Sequence, residues 1–331
     1  MSSQTLQGDT GATRNRVRAC VWAYIALLVA ILVALLYANA AEIANVFSHI
    51  WLFGPIGVFG AIIANSTGTG GGVVFVPAFN ALNATSQAGT IPMEIAVGPV
   101  QTIGVSFLIQ CFGMSVGSAV WIYRFYGSDA VRVTDKIDAL DFLTITFTVL
   151  STTIPALLLT QYLLFDGVDG SALLTAFKWF SLALGIVLLV FTWAFKHIRP
   201  NRFRADRFDY YWLLGLGAVG GVITAFFSVG VGELVAVYLI LRKFPTSGAV
   251  AIAVVVSVIT VICGVWYHIA FDNIVWPIAL TAIPGAMIGG FVARIFATWL
   301  GSLWLKTFAS VWIIASSAFL ILGPLLGVMS Q

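Results

Sequence analysis

Two short stretches of this sequence combine glycines with hydroxyl, amide and carboxylate side chains. The first is "NSTGTGGG", residues 65–72, and the second is "SVGVGE", residues 228–233. Glycine is a poor helix former, so each stretch is expected to break a helix. A broken helix exposes unpaired backbone N–H groups at the positive end of a helix dipole, and these groups together bind anions. The residue types therefore predict a small-anion site.

The candidate ligands are glycine amides and neutral hydrogen-bonding side chains. Glycine lets an oxyanion approach the backbone without a Cβ in the way. The predicted substrate-binding residues are Asn65, Ser66, Thr67, Gly70, Gly71, Gly72, Gln101, Ser228, Gly230 and Gly232. A structural alternative is that the glycines permit a tight hairpin and close helix packing, while the hydroxyls cap helix ends. For Gln101, a plain helix–helix hydrogen bond is an equal alternative.

Glu233 is the acidic residue of the second stretch. A carboxylate near the middle of a bilayer costs about 2.5–3.5 kcal/mol on insertion scales, so it is usually retained for function. We expect Glu233 to couple transport to protons or to gate it. Capping of the half-helix that begins there is an equal alternative, because the helix dipole favours an acid at that end.

The composition of the chain indicates that these residues lie within a lipid bilayer. The chain has 331 residues, of which 60% are hydrophobic and 9% charged, and its mean hydropathy is +1.02. So little charge predicts an all-α polytopic membrane protein in the lipid bilayer. The net charge of +3 is small and spread over loops, so no nucleic-acid partner is expected.

The amino-terminal part divides into two predicted segments. Residues 1–18 are polar and are expected to form a disordered cytoplasmic tail. Residues 19–44 are expected to form an anchor helix. "ANA" at 38–40 resembles a signal-peptide cleavage site, but the apolar core is longer than that of a typical signal, so we interpret the helix as retained.

The remainder of the chain looks duplicated. The apolar segments 51–83 and 210–241 are each over thirty residues long, well beyond the ~20 that cross a bilayer, and glycines interrupt both. Three further apolar segments follow each of them, and the last two of the chain are 274–297 and 303–328. The sequence therefore predicts a first repeat at 51–195 and a second at 210–328.

Charge favours one topology. Cytoplasmic loops are rich in Lys and Arg, so the basic loop at 196–209 is expected inside. The basic loop lies inside if each glycine-broken segment is a re-entrant helical hairpin that is followed by three transmembrane helices. An odd number of crossings per repeat makes the repeats inverted, an arrangement common in secondary transporters. In the rival model each broken segment crosses fully, which gives nine spans and parallel repeats.

The sequence does not contain the motifs that other classes of protein need for their function. No H-E-x-x-H, G-x-S-x-G or P-loop pattern occurs, so we expect neither an enzyme nor an ATP-driven pump, with no catalytic residue and no cofactor. His and Cys residues are not clustered, so no metal site is expected. Transport of a cation is disfavoured, because the membrane segments hold too few carboxylates.

The stretch "GTGGGVVFVPAF", residues 68–79, resembles the sulfite exporter TauE/SafE family of integral membrane permeases. The similarity continues at "AVG" (96–98), "SGAVA" (247–251) and "IPGAMIGGFVA" (283–293), and covers roughly residues 51 to 328. In the second half, Val231 stands where the family's motif has its middle glycine, and no proline stands at Val237. The resemblance implies transport of sulfite, sulfonates such as sulfoacetate, or related sulfur-containing anions.

Taken together, these features predict a secondary transporter or exporter of a small sulfur oxyanion, working by alternating access in the cell inner membrane. The expected partners are the inorganic or organic anion and protons. A passive small-anion channel of the same fold is the alternative. The oligomeric state is left open, with a homodimer among the options.

Overall fold

The protein is all-helical throughout the residues that its computed structural model describes, which are 3–87, 97–128, 137–165, 167–195, 197 and 200–323. Eleven α-helices lie in these residues. They are α1 (Ser3–Ala38), α2 (Ala40–Ile50), α3 (Phe53–Thr67), α4 (Gly72–Gln87), α5 (Pro99–Ile122), α6 (Ala139–Leu164), α7 (Gly170–Ala194), α8 (Arg207–Phe227), α9 (Val231–Leu241), α10 (Thr246–Ala270) and α11 (Trp276–Leu322). A short π-helix, Tyr123–Gly127, extends α5.

Within the described residues, seven helical stretches are long and apolar enough to cross a membrane. They are Thr13–Ala38, Pro99–Gly127, Ala139–Leu164, Gly170–Ala194, Arg207–Phe227, Thr246–Ala270 and Trp276–Ala297. The predicted class, an all-α polytopic membrane protein, is thereby confirmed. The lengths follow from a rise of about 1.5 Å per residue, which makes about twenty apolar residues span the hydrocarbon layer.

Both glycine-broken segments fold back on themselves. In the first hairpin, Gly60 of α3 faces the Phe75 ring of α4, and the rings of Phe53 and Phe79 lie 5.4 Å apart. In the second hairpin, Val231 packs on Gly220, while Asp209 accepts a 2.6 Å hydrogen bond from Arg242. Residues near the two ends of each segment are thus neighbours, and the two helices of each hairpin are antiparallel.

The last helix also doubles back. Helix α11 has 47 residues, and its Gly289 packs on Val58 of α3. Phe308 and Trp312 of the same helix contact the adjacent residue Phe59, with ring centroids 5.8 and 5.1 Å away. In a straight helix Gly289 and Phe308 would be about 28 Å apart, so α11 bends between them. The two predicted segments 274–297 and 303–328 correspond to its two arms, although residues 324–328 lie outside the described residues.

The amino terminus differs from the sequence-based expectation. Residues 3–18 belong to α1, whereas a disordered tail was expected for residues 1–18; residues 1 and 2 lie outside the described residues. Once the apolar part of α1 has nucleated a helix, each added residue costs little. Arg18 also holds this part in place, because its Nε donates a 2.6 Å hydrogen bond to the carbonyl of Gly127. The predicted anchor of 19–44 ends earlier, at Ala38, and α2 follows.

Small residues bring the hairpins close to their neighbours. Gly57 of α3 lies against the backbone of Ala282 in α11, and Gly217 and Gly221 of α8 lie against Val149 and Thr153 of α6. At these three glycines a Cβ would collide with a backbone carbonyl. Close backbone approach through glycine is the usual way in which membrane helices pack, since lipid offers no hydrophobic drive between them.

Helices α5 and α10 form the centre of the molecule. They run antiparallel, because Gly104 of α5 contacts His268 near the end of α10, whereas Phe107 contacts Gly264, one turn earlier in α10. Most residues of both helices are buried. The two hairpin tips rest on this central pair, which therefore positions them.

Candidate functional site

Each hairpin turns at a residue with a positive φ. Helix α3 is followed by Gly68 with φ 81°, and α8 is followed by Ser228 with φ 58°. The left-handed conformation ends a helix and suits glycine, while a serine there is uncommon. Gly230, with φ 142°, completes the second turn. The sequence therefore breaks both helices at the places that its glycines predict.

The two tips meet at the carboxylate of Glu233. Its Oε1 accepts a 2.9 Å hydrogen bond from the amide of Gly70, in the first tip. Its Oε2 accepts a 2.9 Å hydrogen bond from the amide of Gly230, in its own tip. Glu233 is only 2% exposed. The two oxygens of one carboxyl group are thus held between backbone N–H groups of both tips, which is the type of pairing expected of an anion site.

Gln110 of α5 links the tips a second time. Its Oε1 accepts a 2.7 Å hydrogen bond from the amide of Gly71. Its Nε2 donates to the hydroxyl of Ser228 at 2.7 Å and to that of Ser106 at 3.0 Å. Since the side chain is 1% exposed, these bonds satisfy an amide that would be costly to bury alone.

Glycine is required where the tips touch. A Cβ on Gly72 would lie 2.7 Å from the carbonyl oxygen of Ser228, and one on Gly70 would lie 3.1 Å from it. A Cβ on Gly232 would collide with the carbonyl of Gly68 and the hydroxyl of Ser257. Larger residues at these positions would push the tips apart.

Two of the predicted side chains, Asn65 and Ser66, point away from the meeting point, and a third, Thr67, lies beside it. The Nδ2 of Asn65 donates to the carbonyls of Ala61 (2.9 Å) and Gly113 (3.2 Å), and so faces α5. Ser66 bonds to carbonyls of Ile62 and Ala293, and so faces α11. The hydroxyl of Thr67 lies 2.6 Å from that of Thr69, beside the tips.

Gln101 is not brought to the tips. Its Oε1 accepts a 3.0 Å hydrogen bond from the amide of Gly98, at the amino-terminal end of α5. The glutamine that reaches the tips is Gln110, about 13 Å further along the helix at 1.5 Å per residue. The sequence does contain a pattern that indicates Gln110, because Thr102, Ser106 and Gln110 recur at four-residue spacing and so share one face of a helix. In the structure all three are buried.

A cavity of about 150 Å³ reaches the tips from one side. Thr67, Thr69 and Glu233 line the part at the tips. Phe195 and Pro200 line the part next to the basic loop. The volume exceeds that of a few water molecules, so a small hydrated anion fits. The cavity therefore connects the side of the basic loop to the carboxylate between the tips.

The basic loop is bound to the second hairpin by a charged network around Asp209. Its carboxylate is fully buried and accepts hydrogen bonds from Arg242 (2.6 Å), Tyr238 (2.8 Å) and Arg202 (3.2 Å). Asp206 caps α8 by accepting a 2.9 Å hydrogen bond from the Asp209 amide, and this bond, together with Arg202, lowers the pKa of Asp206. The network holds the carboxyl-terminal end of α9, opposite the tips, against the first turn of α8.

Metal-binding groups are not gathered at this site. Among the described residues, no group of three or more His, Cys, Asp or Glu side chains lies close enough together to hold a metal ion. The groups at the tips are backbone amides, hydroxyls, one glutamine amide and one carboxylate. These groups suit the binding of a small oxyanion and a proton.

Comparison with known families agrees with this chemistry. Residues 53–320, most of the chain, match the family model described as "Sulfite exporter TauE/SafE". Comparison with curated proteins gave no match, and comparison with solved structures gave none. The matched region contains both hairpins, the central helices and the cavity, and it leaves out α1 and α2. The chain therefore belongs to the sulfite exporter TauE/SafE family of membrane permeases, which transport sulfite-type anions.

Proposed function

We propose that this protein is a secondary transporter that exports a small sulfur oxyanion of the sulfite, sulfonate or sulfoacetate class across the cell inner membrane. One observation carries the proposal: the Glu233 carboxylate accepts hydrogen bonds from Gly70 and Gly230, one amide from each tip. A carboxylate and a sulfite or sulfonate group present similar oxygen atoms to such donors. The place that the carboxylate occupies is the place proposed for the transported anion.

In this mechanism the substrate and Glu233 compete for the same amides. A proton added to the carboxylate removes its charge and turns one oxygen into an O–H group, which accepts from its amide much more weakly. The neutral side chain then leaves the amides to the incoming anion. Loss of the proton returns the carboxylate, which displaces the anion toward the opposite side. Transport of the anion is thereby coupled to a proton.

Alternating access fits an inverted relation between the two repeats, which is part of the proposal. If the repeats are inverted, equivalent helices should run in opposite directions. Helices α5 and α10 are equivalent in the predicted repeats and are antiparallel. Helix α7 and the second arm of α11 are also equivalent, and Gly185 packs on Ile313 while Trp193 packs on Trp304, again antiparallel. Rocking of one half on the other would then expose the tips to each side in turn.

The test is uptake of labelled anions into sealed liposomes that contain the purified protein. Sulfite, sulfoacetate, sulfate and chloride are compared with and without an imposed proton gradient. We expect saturable uptake of the sulfur oxyanions that a proton gradient accelerates. Flux that does not saturate and ignores the gradient would instead identify a passive anion channel, and the absence of any anion flux would refute transport.

Two glycine variants supply a matched control. Gly72→Ala places a Cβ 2.7 Å from Ser228 in the other tip, so we expect it to abolish most of the flux. Gly215→Ala adds the same methyl group in α8, where nothing lies within 4 Å, and is expected to keep wild-type flux. Equal flux in both variants would show that contact between the tips is irrelevant to transport.

A further inference from the structure

Lys306 lines the same cavity as Glu233. It lies in the second arm of α11, near Trp304, whose ring packs 6.2 Å from that of Trp193 at the end of α7. The end of α7 leads directly into the basic loop. Lys306 is therefore on the loop side of the cavity, and Glu233 is at the tips. An anion entering from the loop side would meet the cation first and the carboxylate last.

Lys306 has no acidic partner among the described residues. In the ranges that the structure describes, Lys306 takes part in no ion pair. The sequences of the three helices that supply most of the lining, α7, α9 and α11, contain one acidic residue, Glu233, and its oxygens are engaged by amides of the tips. An unpaired charge in a membrane segment is costly and usually has a function.

Two hydroxyl groups near Lys306 in the cavity already donate their protons to backbone carbonyls. The hydroxyl of Ser310 donates a 2.8 Å hydrogen bond to the carbonyl of Lys306, and that of Thr192 donates a 2.7 Å bond to the carbonyl of Leu188. Both protons are thus used within their own helices. Among the described residues that line the cavity, Lys306 is the one cation, and its ammonium offers three protons to an anion.

We propose that Lys306 forms an entry site for the transported oxyanion, distinct from the amides at the tips. The ammonium draws the anion out of solution into the cavity and holds it while Glu233 still occupies the tips. This inference rests on the proposed function, since it assigns the waiting position for the same substrate. It adds a substrate-binding residue that the glycine motifs do not contain.

Direct binding tests the proposal. The probe is a labelled sulfonate, sulfoacetate, titrated onto the full-length purified protein, with flux into liposomes measured in parallel. For Lys306→Gln we expect the dissociation constant and the KM to rise about tenfold, which corresponds to ~1.4 kcal/mol, with a small change in kcat. Lys306→Arg keeps the charge and is expected to retain binding. The affinity of the wild-type protein should fall with added salt more steeply than that of Lys306→Gln.

Lys178→Gln is the matched control. Lys178 is also a membrane-segment lysine, on α7, but it is not among the residues that line the cavity. We expect this variant to bind like the wild type. If Lys306→Gln binds and transports like the wild type, or if it loses thermal stability without losing affinity, the entry site is refuted while the transport proposal stands. If the wild-type protein neither binds nor transports the sulfonate, the proposed function itself fails.

Discussion

Glu233 and Gln110 hold together two glycine turns that lie far apart in the chain. Each side chain bridges the tips, Glu233 through Gly70 and Gly230, and Gln110 through Gly71 and Ser228. The difference between them is charge. Glutamine satisfies donors and acceptors permanently, whereas a carboxylate can take up a proton and release an amide. Glu233 is therefore the side chain through which a proton would open the site.

Replacing Glu233 by glutamine should remove the pH dependence of binding and transport. In the wild type each amide bonds a different oxygen of Glu233, and a glutamine replaces one of these oxygens by an NH₂ group, which would repel the N–H that faces it. We expect Glu233→Gln to bind a sulfonate with an affinity that is high and constant across a pH series. In the wild type the affinity should rise as the pH falls. A sulfonate is a suitable probe, because the charge of the sulfonate group stays constant across the pH series.

Gln110→Glu provides the comparison at the neighbouring bridge. It places a second carboxylate at the tips and removes the donor to Ser228, so binding of the anion should weaken at every pH. If Glu233→Gln kept the pH profile of the wild type, the carboxylate would be a helix cap and not the proton-binding group.

The residues at the tips were only partly predictable. Gly70, Gly71, Gly72, Gly230 and Glu233 stand out in sequence because glycines and an acid are unexpected in an apolar segment. Gln110 lies more than thirty residues beyond the first glycine stretch. Its role depends on which face of α5 meets the tips, and a local pattern does not specify that face.

At the level of elements, the second hairpin is held at its open end by the Asp209 network. Asp209 lies in the first turn of α8, and Arg242 and Tyr238 belong to the end of α9 or the turn after it. The network therefore closes the hairpin far from the tips. Its stability determines how firmly Glu233 is presented to the first hairpin.

Asp209→Asn should destabilise the protein. It leaves two arginines without a buried carboxylate, and because these are about 30% exposed, we expect a loss of about 1–3 kcal/mol, less than for a fully buried pair. The measurement is the thermal unfolding midpoint in detergent. Asp206→Asn is the control, since Asp206 is half exposed and asparagine still caps a helix, so its midpoint should change less. An equal change in both variants would mean that Asp209 contributes no more than a surface charge.

At the level of the whole molecule, the hairpins place both ends of each broken segment on one face. The second hairpin has its open end beside the basic loop, where Asn201 and Arg202 donate to the carbonyl of Lys243. If the loop is cytoplasmic, this hairpin enters from the inside and the first from the outside. The nine-span alternative would place the loop outside.

Cysteine labelling distinguishes these topologies. In a variant whose native Cys20, Cys111 and Cys263 are replaced by alanine, Arg204→Cys places a thiol at an exposed position of the basic loop. We expect a membrane-impermeant reagent to label it from the inner face only. Ala44→Cys, exposed on α2, should be labelled from the outer face. Outer labelling of Arg204→Cys would support full crossing and parallel repeats.

A helical membrane protein with two glycine-broken segments can be recognised from the amino-acid sequence, because hydropathy and glycine act locally. The sequence also indicated the family through the motif that begins at Gly68. The folded chain was needed to show that the two tips touch, that Glu233 occupies amides of both, and that Gln110, not Gln101, reaches them. It likewise brought Lys306 into the cavity of Glu233. The physical reason is that contacts between residues so distant in sequence depend on how α5, α10 and the hairpins pack, and that packing is a property of the assembled helices.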